Sequence, residues 1–305
     1  MAQLPFPSAF FRVTVVITVC WLVQSTPAPA SPPVRFGLIE GHWIVVPVSI
    51  KGSGPYDFVL DTGSSKSILD PLLIDELGGK AIGRNRLVTA AGSMLVSSYR
   101  LEDFQLGPQR VEYLDVLAHP VPSNRGVQTR GILGQDFLGR FNFILDYKLR
   151  TITFEEDQEF SRSLKGGVYS LLDSAQRRMV QIPPQSGESR PSLFVLDSGA
   201  EAIVLFGNDF RGLGFDLDSA SNLEQLHTVM GGGFVSRGQF RSFKVGETNL
   251  MNLPVRRAHI EEPAKVRTEN GLLPTAYFQS IYINNVMRFV AFNPRFENRP
   301  QVRDK

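Results

Sequence analysis

The sequence predicts an all-β protein of two pseudo-symmetric lobes with short helices and a shared site at their interface. Three observations carry that expectation. A six-residue phrase occurs twice, as Phe58-Val59-Leu60-Asp61-Thr62-Gly63 and as Phe194-Val195-Leu196-Asp197-Ser198-Gly199. Other blocks follow each copy in the same order. The segments between them are short, rich in β-branched residues and broken by Gly, Pro, Asn and Asp, which is how strands and turns read.

Taken in order, the first element is an apolar run from His42 to Ile50, closed by the turn signal Lys51-Gly52-Ser53-Gly54-Pro55. A strand is expected to begin again at Phe58 and to deliver Asp61. Asp70-Pro71 then opens a short helix, with Asp as the cap and Pro at the first helical position, and Gly78-Gly79 stops it. Thr89-Ala90-Ala91-Gly92-Ser93 is matched later by Thr228-Val229-Met230-Gly231-Gly232-Gly233, and Phe104-Gln105-Leu106-Gly107 by Phe243-Lys244-Val245-Gly246. Each half closes on a hairpin. One runs from Phe141 to Phe154 around Asp146-Tyr147-Lys148, the other from Ser280 to Phe292 around Asn284-Asn285. Matched blocks in one order, at a domain-sized period, read as an internal duplication. The expected divisions are residues 1–30, 31–160 and 161–305, with the link between lobes around Glu155 to Gly167.

Residues 1–30 read as a signal peptide. Arg12 precedes the apolar stretch Val13 to Val23, and Ala28-Pro29-Ala30 offers a cleavage site. The protein is therefore expected to be exported, periplasmic or secreted, with an uncleaved membrane anchor as the alternative. Cys20, the one cysteine, lies inside that segment. Its removal leaves no thiol for a disulfide, a metal-thiolate site or a nucleophile. A net charge of +2 gives no argument for a nucleic-acid partner.

An acid at the end of a buried apolar strand is costly unless it is paired or hydrogen-bonded. Two such acids on matched scaffolds satisfy one another if the lobes pack about a twofold axis. At about 3 Å two carboxylates repel by about 5 kcal/mol at an effective dielectric near 20, so only one ionises. One group then serves as base and the other as acid. Gly63 and Gly199 are expected to let the two backbones approach. Thr62 and Ser198 are placed to hydrogen-bond across the junction, and the Ser64 hydroxyl to bond the outer oxygen of Asp61. Ala200 stands where Ser64 stands in the first half, so Asp61 is expected to ionise more readily than Asp197.

On Asp61-Thr62-Gly63-Ser64, Asp197-Ser198-Gly199-Ala200 and Gly131-Ile132-Leu133-Gly134-Gln135-Asp136-Phe137-Leu138, the chain resembles the aspartic proteases, and the retropepsin-like ones most closely. The resemblance extends over nearly all of the chain past the signal segment. It implies two fused β-barrel lobes, hydrolysis of peptide bonds through a water activated by Asp61 and Asp197, and no cofactor. It also implies flap hairpins over the substrate, at Ala91, Gly92 and Ser93 in one lobe and Gly231, Gly232 and Gly233 in the other. Retropepsins usually build the pair from two identical chains. Both halves are present here, so a monomer suffices. Leu272-Leu273-Pro274 departs from the apolar-apolar-Gly pattern, and proline removes a donor, so weaker support of Asp197 is expected.

Other sites compete poorly. His42, His119, His227 and His259 lack metal-ligand spacing. Ser67 stands where a nucleophile elbow needs glycine. Asp216 and Asp218 lack the rest of a calcium loop. Asp57, Asp136 and Asp146 read as turn or surface acids. The partner expected is a peptide or protein substrate, and the alternative to an endopeptidase is a catalytically weak peptide-binding module of the same fold.

Overall fold

A computed structural model describes residues 32–89, 92–121, 128–156, 158–174, 177–183, 191–206, 215–217, 223–228, 231–259 and 268–297. The expected signal segment, with Cys20 and Ala28 to Ala30, and the expected flap-tip residue Ala91 lie outside the described residues. Ser31–Lys305 forms one compact unit. Among the described residues no helix is long and apolar enough to cross a membrane.

The fold is all-β. In the first half, Trp43–Ile50 pairs antiparallel with Ser53–Leu60, which runs parallel to Gly131–Leu133. Gly131–Leu133 is antiparallel to Ile68–Leu69, itself parallel to Gln109–Ala118, and that strand is antiparallel to Gly92–Leu106. Gly92–Leu106 returns to Trp43–Ile50 through Ser49 opposite Gln105 and Ile50 opposite Phe104, closing a barrel of six strands. In the second half Arg177–Ile182, Ser192–Asp197, Gly271–Pro274, Ile203–Phe206, Thr248–His259 and Gly231–Val245 follow one another with the same alternation of parallel and antiparallel pairings. Among the described residues the closing pair has no counterpart there.

Between the halves lies a sheet to which both contribute. Its order is Val34–Arg35, Thr151–Phe154, Phe143–Asp146, Ser280–Asn284, Phe289–Phe292 and Tyr169–Ser174. The two central strands cross the junction antiparallel, with Ile144 opposite Tyr282 and Leu145 opposite Ile281. Side chains above and below it merge into one core that holds Phe58, Leu60, Leu133 and Phe137 from one half and Phe194, Leu196, Leu273 and Phe278 from the other. Each such side chain contributes about 1.5–3 kcal/mol through burial. The sheet and the core are why the halves behave as one unit.

Local signals set the boundaries with three exceptions. Asp70 caps Pro71–Glu76 by accepting the Leu72 amide at 2.9 Å, as its sequence requires. The turn after Ile50 is shorter than expected, because Lys51 and Gly52 turn the chain and Ser53 already starts the strand. The link around Glu155 to Gly167 carries regular structure among its described residues. It forms the helix Glu159–Ser163, then Leu164–Lys165 pairs with Arg295–Phe296. Asp136 is the third exception and belongs to the site.

Candidate active site

Ser53–Leu60 and Ser192–Asp197 end side by side, and their loops interlock before either acid is considered. The Thr62 hydroxyl donates to the Leu196 carbonyl at 2.7 Å and accepts the Ser198 amide at 3.0 Å. The Ser198 hydroxyl donates to the Leu60 carbonyl at 2.7 Å and accepts the Thr62 amide at 3.0 Å. Both residues are buried. Four reciprocal bonds therefore fix one strand end against the other, and a small hydroxyl residue at each position is what the geometry demands.

Directly above this lock the carboxyls of Asp61 and Asp197 come together, each packed against the glycine of the other loop. Asp61 Oδ1 accepts the amides of Gly63 at 2.8 Å and Ser64 at 3.1 Å. Asp197 Oδ1 accepts the Gly199 amide at 2.7 Å, and the Ala200 amide also reaches this carboxyl. The approach depends on glycine. A Cβ on Gly63 would lie 2.6 Å from Asp197 Cγ, and one on Gly199 would lie 3.1 Å from Asp61 Oδ2.

Burial holds the Asp197 carboxyl well above the ordinary carboxylate range, and the negative charge of Asp61 pushes it further. Burial also raises Asp61, but the amides of Gly63 and Ser64 pull it down. Both carboxyls are thus pushed up, Asp197 further than Asp61, so Asp61 gives up its proton more readily. The cause of the inequality differs from the expected one. The Ser64 hydroxyl donates to the Lys66 carbonyl at 2.7 Å instead of to Asp61, so only the Ser64 amide serves the carboxylate.

Pro274 is equally instructive. Gly271–Pro274 runs beside Ser192–Asp197 in the register that Gly131–Leu133 keeps beside Ser53–Leu60, with Leu273 opposite Leu196 and Pro274 opposite Asp197. In the first half the Gly134 amide donates to Ser67 Oγ at 3.1 Å, and that hydroxyl donates to Asp136 at 2.6 Å. Both Asp136 oxygens also accept the Ser67 amide at 3.0 Å. The corresponding residues in the second half are Pro274, Ile203 and Ala276. Donor, relay and acceptor are all replaced by apolar groups, so proline leaves nothing unsatisfied. Pro274 therefore removes a donor that has no acceptor waiting for it. Asp136 is thus no surface or turn acid but part of the scaffold behind Asp61, with its carboxyl pushed up by burial. Asp57 is exposed, and Asp146 caps a turn by accepting the Leu149 amide at 2.9 Å.

Two residues that sequence reasoning missed also hold these loops. Trp43 Nε1 donates across the junction to the Gly199 carbonyl at 2.9 Å. Gln135 grips the first loop from behind, its amide bonding the Ser64 carbonyl and its Nε2 the Thr62 carbonyl, both at 2.8 Å. Only the position of Gln135 next to Gly134 hinted at this. Trp43 carried no signal.

The expected flap segments form hairpins. Thr89 pairs with Gly92 and Thr228 with Gly231 at the ends of the two hairpins. Gly92 and Ser93 open one return strand, and Gly231, Gly232 and Gly233 the other. Met94, Leu95 and Phe234 are exposed close to these turns. A cavity of about 710 Å³ lies at the second half's loop, lined by Glu201, Ala202, Arg256 and Tyr277 and by Glu40 and His42 of the first half. Glu201 and Arg256 form an ion pair in its wall. In the strand pairing of the first half, buried Leu117 takes the place of Arg256.

No curated protein matches the chain. A family described as aspartyl protease matches residues 46–137, from Val46 within the strand Trp43–Ile50 through Asp61 to Phe137, which supports a protease-like function. The Asp-Thr-Gly loop and most of the closed barrel fall in that span, so residues 46–137 are similar to the retropepsin-like aspartyl proteases.

Proposed function

We propose that the protein is a single-chain aspartic endopeptidase whose one active site is made by Asp61 and Asp197. The observation that carries this reading is that the Asp61 and Asp197 carboxyls meet over the Thr62–Ser198 lock, each against the glycine of the other loop. Asp61 is the base. It takes a proton from a water held by both carboxyls, and the resulting oxygen attacks the carbonyl carbon of the scissile amide. Asp197 gives its proton to the substrate, so charge never accumulates on both acids, and the departing amine leaves protonated. A shared proton of this kind is established behaviour of aspartic-protease dyads.

An extended peptide would lie across the junction beneath the two hairpins, pairing with strand edges while pockets sort its side chains. The apolar Met94, Leu95 and Phe234 and the polar cavity at Glu201 give the two sides of that path different chemistry. The chain acts alone, because both acids come from it, and residues 1–30 direct its export.

The test is a peptide library digested by the protein and read by mass spectrometry. Cleavage between residues with an apolar side chain on at least one side is expected. Peptide binding without cleavage at any pH would replace the reading with that of a binding module.

A further inference from the structure

Asp61 and Asp197 sit on matched loops, yet the groups behind those loops differ. Behind Asp61, Gln135 reaches the Thr62 carbonyl. Its twofold mate behind Asp197 is Thr275, fully buried, which follows Pro274 and begins the short helix Thr275–Tyr277. Threonine is too short to repeat the Gln135 contact. Its hydroxyl instead lies 2.5 Å from the hydroxyl of Tyr147, a residue of the opposite half.

Tyr147 comes from the turn of the first half's central hairpin. Its amide donates to the Gln279 carbonyl at 2.9 Å, and its ring packs edge-on against Phe36 at 6.0 Å. By hairpin register its mate is Asn285, which also crosses the junction. Asn285 Nδ2 bonds the carbonyls of Leu138 at 3.1 Å and Phe141 at 2.6 Å, at the end of the helix Gln135–Leu138. The two halves therefore fill the same space with opposite divisions of size. One uses a long Gln from its own half and a short Asn from across. The other uses a short Thr from its own half and a long Tyr from across.

We infer that Tyr147 is a positioning residue for Asp197, holding through Thr275 the backbone at Pro274 that lies beside Asp197, much as Gln135 holds the loop of Asp61. The phenol is close enough to Asp197 that the carboxylate's charge adds to the upward push on Tyr147, in which burial comes first. Among the described residues Asp61 is the titratable group that acts on Asp197, and the charge of Asp197 acts in turn on Tyr147. The inference rests on Asp197 being half of the dyad, and its test is read apart from cleavage.

Carboxyl carbons of aspartate-labelled protein are titrated by NMR in the wild type, Tyr147→Phe and Thr275→Val, with Asp197→Asn assigning the resonance. Tyr147→Phe keeps the ring on Phe36, so the fold is retained. In both variants Asp197 is expected to lose its proton at higher pH than in the wild type, because less polar surroundings disfavour the carboxylate. The double variant should titrate no differently from either single, since the two hydroxyls act as one unit. An Asp197 titration unmoved by Tyr147→Phe overturns the inference. A shifted titration in a protein that cleaves nothing upholds it and removes the proposed function instead. Where cleavage is present, kcat should fall about tenfold with KM unchanged, as for a small misplacement of a reacting group. A change confined to KM would count against positioning.

Discussion

Ser64 and Ser198 are both serines of the two acid loops, yet their hydroxyls have different consequences. Ser198 supplies two of the four bonds of the lock, so Ser198→Ala leaves the Thr62 amide and the Leu60 carbonyl unpaired in a buried place. A loss of about 2–4 kcal/mol is expected in chemical denaturation, from one to two buried groups left unsatisfied. Ser64→Ala removes a hydroxyl that serves only Lys66, so the acidic limb of the pH–rate profile should stay where it is. A displaced limb would restore the contact with Asp61 that the structure lacks. Gly63→Ala drives a Cβ into Asp197 and should abolish cleavage while the protein still folds, as circular dichroism can check. Burial and the charge of Asp61 hold the folded pKa of Asp197 above its unfolded value. A raised carboxyl stabilises the fold fully below the unfolded value, and that contribution is lost as pH rises to the folded one. Asp197→Asn should therefore gain stability over the wild type as pH rises above about 4, seen as a widening gap in melting temperature. At this scale the sequence was most legible. Two acids, two glycines and two small hydroxyls serve one junction, so chemistry holds both copies to one pattern.

The elements behind the loops were harder to read, because their meaning lies in contacts between distant residues. Asp136 looked like an ordinary acid after a turn, and only its place opposite Ser67 shows that it anchors the strand entering Ile68. The replacement of Ser67, Gly134 and Asp136 by Ile203, Pro274 and Ala276 is visible in sequence as three unrelated departures. In the fold they are one exchange of a polar relay for apolar packing. Asp136→Ala alone breaks that exchange halfway, leaving the buried Ser67 hydroxyl and amide without their acceptor. It should cost about 2–3 kcal/mol and lower kcat, whereas converting all three residues to Ile, Pro and Ala together should cost less than the sum of the single changes. Denaturant midpoints of the four variants measure this. Turn and cap signals, by contrast, needed no distant partner. Asp70-Pro71 marked its helix correctly, and the paired hairpin turns appeared at Thr89 and Thr228.

At the scale of the whole molecule the repeat predicted two lobes but not how they join. Each central hairpin was legible as a hairpin. Nothing local announced that Phe143–Asp146 would pair with Ser280–Asn284 across the junction, since an apolar strand does not name its neighbour. That sheet, the continuous core and the crossing side chains Trp43, Tyr147 and Asn285 bind the halves into one unit. Heat should therefore unfold Ser31–Lys305 in a single calorimetric transition. Two resolved transitions would mean that the halves are independent.

The joined halves matter because the proposed chemistry requires one acid from each. The most direct measurement is kcat/KM on one cleaved peptide for the wild type, Asp61→Asn and Asp197→Asn at equal folded concentration. A shared dyad predicts a fall of about 10³-fold or more in both variants, with wild-type rates per molecule independent of protein concentration. Substantial cleavage retained by either variant would contradict a single site built from the two halves.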